Sequence, residues 1–208
     1  MESTRPSFAR DPATAAYYDQ RASEYDEWYE DLGQYAPRSR PGWHDDVAHL
    51  VSLVSGLAGA RTLDVACGTG FLTRHLQGTA VGLDQSRRMV EVATERLPHG
   101  SATIGDALRL PFAGHSFDRV LTAHFYGHLP PEERRTFLSE ARRVGRQLVV
   151  VDSAWRPGGE AEQWQWRVLN DGSRHRVYKR YLRPEQLASE IGGRVLWSGT
   201  WFVVAGRS

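Results

Sequence analysis

The chain has 208 residues, 40% hydrophobic and 25% charged, with a formal net charge of +1. That length suffices for one complete core, and the near-balance of charge makes no global claim on nucleic acid, although Lys179 is the only lysine among 26 Lys and Arg residues. Met1 to Ala16 lacks the apolar core of a signal peptide and no run approaches a membrane span, so a cytosolic protein with no membrane partner is expected, ordered beyond its first dozen residues.

Ala13 to Tyr29 reads as one helix with Tyr18, Ala22, Tyr25 and Tyr29 on a single face. A Pro-bearing linker, Ala36 to Gly42, leads to a second helix with Trp43, Val47, Leu50, Val51, Val54 and Leu57 as its apolar stripe and Gly56 at its C-terminus. Next comes Arg61-Thr-Leu-Asp-Val-Ala-Cys-Gly-Thr-Gly-Phe71: an apolar strand, a tight glycine loop and a helix start running to Leu76. The lone cysteine, Cys67, sits in this loop, where a small soft residue fits and no spacing supports a nucleophile.

Gly68 and Gly70 allow backbone to lie against a ligand, and the loop amides are expected at a helix N-terminus facing it. The run Thr79 to Asp84 predicts a second parallel strand whose terminal acid reaches ribose hydroxyls. A nicotinamide or flavin fingerprint wants a third glycine where Thr73 stands. Asp64 at the mouth of the loop would repel a pyrophosphate and favour a ligand bearing a cationic amine and sulfonium, which S-adenosylmethionine carries.

Asp64 to Gly70, Asp84 and the triplet Gly105-Asp106-Ala107 stand in the order of three motifs, and on them the chain resembles the class I S-adenosylmethionine-dependent methyltransferases, in particular the small-molecule branch of quinone biosynthesis. The resemblance covers nearly the whole chain. It implies a single α/β domain over 1–208: a Rossmann-like, seven-stranded, mostly parallel sheet with a C-terminal antiparallel hairpin and helices on both faces. Residues 13–57 would be a helical cofactor lid, 61–152 the cofactor core and 153–183 a substrate-specificity segment. By the same resemblance Tyr18 and Tyr25 close over the cofactor, and Asp64, Ala66, Gly68, Thr69, Gly70 and Ala123 cradle it. Asp84 takes the ribose, Gln85 and Met89 line the adenine, and Asp106 with the amide of Ala107 reads the adenine edge.

Ser86 is an N-cap for a helix through Leu97, and Ala102 to Asp106 is the third strand. Phe117 to Ala123 is the fourth, and His124, Tyr126 and His128 follow at the sheet edge where catalytic groups gather. These three are the catalytic candidates. His124 is read as a base or substrate contact, and His128 matches the family's histidine before the next helix. His124 and His128 also have metal-ligand spacing, but Gly127 and Pro130 break the helix such a site needs and no third ligand is near, so no metal is assigned. Pro131 to Val144 is a helix and Gln147 to Asp152 the fifth strand. Beyond it, Asn170-Asp-Gly172 is a turn and Arg174 to Arg183 a basic, aromatic extended stretch that would offer contacts to a planar or anionic acceptor. A helix from Pro184 to Ile191 and a hairpin from Arg194 to Ala205 end the chain.

The expected reaction is in-line methyl transfer to oxygen, nitrogen or carbon of a small molecule. Three alternatives stand beside it: an RNA methyltransferase using Arg174 to Arg183, a NAD(P)-dependent reductase, and a cofactor-binding protein without catalysis. Thr73, Asp64 and the missing Tyr-x-x-x-Lys pair count against the reductase. The acceptor and the oligomeric state are not legible.

Overall fold

A computed structural model describes residues 7–97 and 100–208. In chain order the helices are α1 (Pro12–Arg21), α2 (Glu27–Glu30), α3 (Trp43–Ser55), α4 (Arg87–Arg96), α5 (Pro131–Val144) and α6 (Pro184–Ile191). The strands are β1 (Ala60–Val65), β2 (Gly78–Asp84), β3 (Gly100–Ile104), β4 (Phe117–Ala123), β5 (Gly145–Ser153), β6 (Glu162–Val168), β7 (Arg174–Arg180), β8 (Arg194–Ser198) and β9 (Phe202–Arg207). Seven form one sheet in the order β3-β2-β1-β4-β5-β9-β8, in which β9 runs antiparallel to both neighbours. β6 and β7 form a separate antiparallel ribbon. This is the expected Rossmann-like sheet with its terminal hairpin.

Alternation along β5 shows why the sheet is covered on both sides. Leu148 and Val150 belong to one buried cluster, with Phe117, Phe137 and Leu187, while Val149 and Val151 belong to another, with Trp43, Leu50 and Val54. A period of two sends successive side chains to opposite faces, so a strand apolar at every position needs helices on both. α5 and α6 cover the first face, and the Trp43, Leu50 and Val54 stripe of α3 covers the second. Because the strand order turns outward in both directions from β1 and β4, a crevice opens at the carboxyl ends of these two strands.

Two helices differ from expectation. The N-terminal segment is broken: α1 ends at Arg21, a 3-10 turn spans Ala22–Glu24, and α2 is a single turn ended by Asp31 in the left-handed region at φ 59°. The break brings Asp26 onto the glycine loop, where it accepts from Thr69 Oγ1 at 2.5 Å and pairs with Arg96. After β1, the expected helix is only a 3-10 turn, Thr73–His75. β2 already begins at Gly78, leaving no length for more, and the Thr73 hydroxyl is committed to Asp64. No helix N-terminus therefore stands behind the loop.

Candidate functional site

β1 delivers the chain into a loop with three residues in the left-handed region, Ala66 (φ 58°), Gly68 (φ 55°) and Gly70 (φ 76°). A Cβ on Gly68 would meet the Tyr25 ring at 3.4 Å, so glycine lets the N-terminal segment lie on the loop. Gly70 packs on Ala93 of α4 and, with Thr69, braces the loop. The Gly68 amide donates to Asp84 Oδ2 and the Ser86 amide to Asp84 Oδ1, each at 2.9 Å. Burial pushes the Asp84 carboxyl up to about 6 despite these amides. Asp64, on the neighbouring strand, is pushed up to about 7 by burial, against the hydrogen bond from Thr73 and with the charge of Asp84 adding to the rise. Its Oδ2 takes the Thr73 hydroxyl at 2.5 Å, while Oδ1 is buried with no partner among the described residues. Two buried carboxylates with too little positive charge around them fit a cationic ligand.

The crevice is lined by Tyr18, Tyr25, Ala66, Gly68, Asp84, Gln85, Ala107, Ala123 and His124, all sequence candidates. Gly105 of the adenine-edge triplet also lines it, and sequence reasoning missed Phe8, Ala9, Leu83 and Phe125. Phe8 and Ala9 come from a stretch expected to lack order, but their amides donate to Glu133 Oε2 of α5 at 3.1 Å each. Phe8, Tyr18 and Tyr25 close the crevice to about 40 Å³. Asp64, Thr69, Gly70, Met89 and Asp106 do not line it. Met89 is fully buried, and Asp106 accepts from Leu108 N at 2.7 Å and pairs with Arg10 at 2.8 Å. Cys67 is buried against Gly82 and burial pushes its thiol up.

Arg21 is a further residue that sequence reasoning passed over. Its guanidinium is buried, donates to the phenols of Tyr17 (2.9 Å) and Tyr35 (3.1 Å), and lies 4.8 Å from the centroid of the Tyr25 ring. It makes no ion pair with a carboxylate among the described residues, whereas buried charges are ordinarily paired. The signal available in sequence was the spacing Tyr17 to Arg21, one helical turn.

The three catalytic candidates separate. His124 sits at the end of β4 in the left-handed region (φ 57°), its amide bonded to Val151 O at 2.9 Å. Strained backbone of this kind persists where the surroundings enforce it. Its ring packs edge-on to Trp28, with centroids 4.7 Å apart, and tilted to Phe202 at 5.4 Å. Both ring nitrogens are buried without a hydrogen bond among the described residues. Burial pushes its pKa down to about 3; Asp152 opposes the shift, and Lys179 and Arg21 add to it. The ring is neutral at physiological pH, which makes it a hydrogen-bonding contact and a weak base.

His128 and Tyr126 point elsewhere, correcting their assignment to the reacting side. His128 Nδ1–H donates to Tyr178 O at 2.5 Å and its ring stacks on Phe8. The Tyr126 hydroxyl donates to Glu190 Oε2 of α6 at 2.9 Å. Both lie on the 3-10 turn Tyr126–His128, which directs successive side chains apart and spoils the His124–His128 spacing for a metal. Among the described residues no cluster of three His, Cys, Asp or Glu could hold one. Lys179, read from sequence as part of a basic stretch that contacts the acceptor, is buried with Asp152, whose Oδ2 accepts from Gly127 N at 2.7 Å.

Residues 62–147 match the family described as a methyltransferase domain. The chain is 39% identical over 111 residues to a demethylmenaquinone methyltransferase of Thermotoga maritima, covering 50% of this chain and 48% of the relative. It is 34% identical over 149 residues to the demethylmenaquinone methyltransferase of Renibacterium salmoninarum, covering 69% and 60%. The chain thus spans less than two thirds of the length of either curated relative. Among solved structures, the DhpI–SAH complex superposes with a TM-score of 0.73 at 25% identity, over 98% of this chain and 97% of that one. No described helix is long and apolar enough to cross a membrane. A methyltransferase domain matched over the cradle strands, residues 62–147, thus sits in a chain that shares its fold end to end with a protein solved around SAH.

Proposed function

We propose that the chain transfers a methyl group from S-adenosylmethionine to an oxygen, nitrogen or carbon of a small-molecule acceptor that is planar or anionic. The observation that carries this reading is a pair of buried, charge-starved carboxylates on neighbouring strands, Asp84 in the wall of the switch-point crevice and Asp64 behind it on β1. When bound, the cofactor supplies a methyl group on a cationic sulfur. Asp84 would take its ribose, the Gly105–Ala107 backbone its adenine edge and Arg21 its carboxylate, with the Asp64 charge favouring the cationic end. Residues 13–57 act as a lid that swings aside for entry, and 153–183 set acceptor specificity. The reductase and RNA-modifying alternatives are not favoured.

Orientation supplies most of the acceleration. Holding nucleophile and methyl carbon in line is worth about 7–11 kcal/mol, against roughly 3–5 kcal/mol for a well-matched base. His124, with a pKa of about 3, is poorly matched to neutral pH and instead orients the acceptor by a hydrogen bond. Incubation with methyl-labelled cofactor and a panel of phenols, amines and aromatic acids is expected to yield a labelled small molecule. His124→Ala should slow that transfer about tenfold, the worth of one oriented hydrogen bond, and leave cofactor affinity alone. Label appearing only in RNA, or transfer by the variant at the wild-type rate, would contradict the reading.

A further inference from the structure

A second cavity, of about 360 Å³, lies between the N-terminal cap and the β6–β7 ribbon. Its wall carries five cationic side chains, Arg38, Arg40, Arg156, Arg167 and Lys179, and no carboxylate. Two of them are already neutralised, Arg40 by Asp31 and Lys179 by Asp152. Arg38, Arg156 and Arg167 have no ion pair among the described residues. Arg38 lies 4.8 Å from the centroid of the Tyr35 ring and Arg156 3.8 Å from that of Trp201, cation–π contacts that steady each guanidinium without supplying a counter-charge. Three forks without counter-ions around a hollow of small-molecule size form a receptor for an anion.

The cavity adjoins the reacting edge. Trp28 lines it, and the same ring packs 4.7 Å, centroid to centroid, from His124 of the cofactor crevice. Lys179 faces the hollow from β7 while acting electrostatically on His124. Resting on the methyl-transfer reading, we propose that this cavity receives the anionic group of the acceptor, a carboxylate or a phosphate-type oxyanion on a small aromatic body, and leads its nucleophilic end past Trp28 to His124. The anion supplies the charge that Arg156 and Arg167 lack, and Trp28 and Trp43 flank the ring. Nucleic acid would instead meet the outer face of the ribbon, where Arg176 lies over Trp164 and Arg174 over Trp166, a residue that also borders the cavity.

The test titrates the whole chain, with and without S-adenosylhomocysteine, with 4-hydroxybenzoate, with phenyl phosphate and with neutral 4-hydroxyacetophenone. At least one anion should bind, with the ketone about tenfold weaker or worse, and the better anion identifies which oxyanion is held. Arg156→Gln combined with Arg167→Gln should weaken the anion about tenfold and leave S-adenosylhomocysteine affinity unchanged, while Arg174→Gln with Arg176→Gln should change neither. Equal binding of anion and ketone, no anion binding at millimolar concentration, an unaffected cavity variant, or a loss reproduced by the outer-face variant each overturns the proposal. Failure of S-adenosylhomocysteine to bind would count against the cofactor reading alone, because the anion titration is also read on the chain without it.

Discussion

Asp64 shows how a single residue can be built for binding at the expense of the empty fold. Its folded pKa lies near 7 against an ordinary 3.8, so between those values the folded chain holds more protons than the unfolded one. Stability contributed by this group is therefore greatest in acid and is lost as pH rises through that window. Asp64→Asn removes the penalty while keeping an oxygen for Thr73. The ligand-free variant should melt higher than the parent at pH 8, by on the order of 1–3 kcal/mol in stability, with little difference at pH 4. Its affinity for S-adenosylmethionine should fall about tenfold. Thermal melts at the two pH values, with a titration at pH 8, check this; a variant less stable than the parent at pH 8 would contradict it. Asp64 and Asp84 were legible in the sequence because each closes a short apolar run, Asp64 just before the glycine loop and Asp84 at the end of β2. Arg21 was not, since its spacing from Tyr17, one turn earlier, gives no sign of burial, and its other phenol, Tyr35, lies beyond two breaks in the chain. His128 and Tyr126 misled for a related reason: proximity to His124 in sequence says nothing of direction once a 3-10 turn intervenes.

Among the elements, the parallel strands were the most legible, because buried strands write themselves as short apolar runs closed by turn residues. β4, α5 and α6 fall where their patterns put them. What the pattern could not show was the fate of segments held by distant partners. The stretch before α1 has no periodicity, yet the Glu133 carboxylate gathers the amides of Phe8 and Ala9 and the hydroxyl of Ser7. It thereby places Phe8 over the crevice and against His128. Glu133→Ala should release this flap without unfolding the sheet. Hydrogen exchange at residues 7–11 should speed up while β1 and β4 stay protected, and S-adenosylhomocysteine should dissociate about tenfold faster, the three lost bonds being partly replaced by water. Unchanged exchange in the flap would show that Glu133 does not hold it.

In the whole molecule, a rigid parallel sheet presents one edge, and two coverings close over it from opposite sides. The N-terminal segment lies on the glycine loop through Tyr25 and Asp26. The β6–β7 ribbon is tied to the sheet through buried Lys179 and Asp152 and through the Tyr178 carbonyl on His128. Trp28 and His124 meet where the coverings converge, between a crevice suited to a cation and a cavity suited to an anion. With the acceptor we propose, the charges of donor and acceptor would be held apart by the fold, with the Trp28 ring between them. All of this depends on the cofactor being the one the crevice fits. The most direct measurement is calorimetric titration of the protein with S-adenosylhomocysteine and with NADPH, using Asp84→Ala as the control. Micromolar binding of S-adenosylhomocysteine, abolished by Asp84→Ala and absent for NADPH, is the predicted result. Tight NADPH binding, or S-adenosylhomocysteine binding indifferent to Asp84, would contradict it.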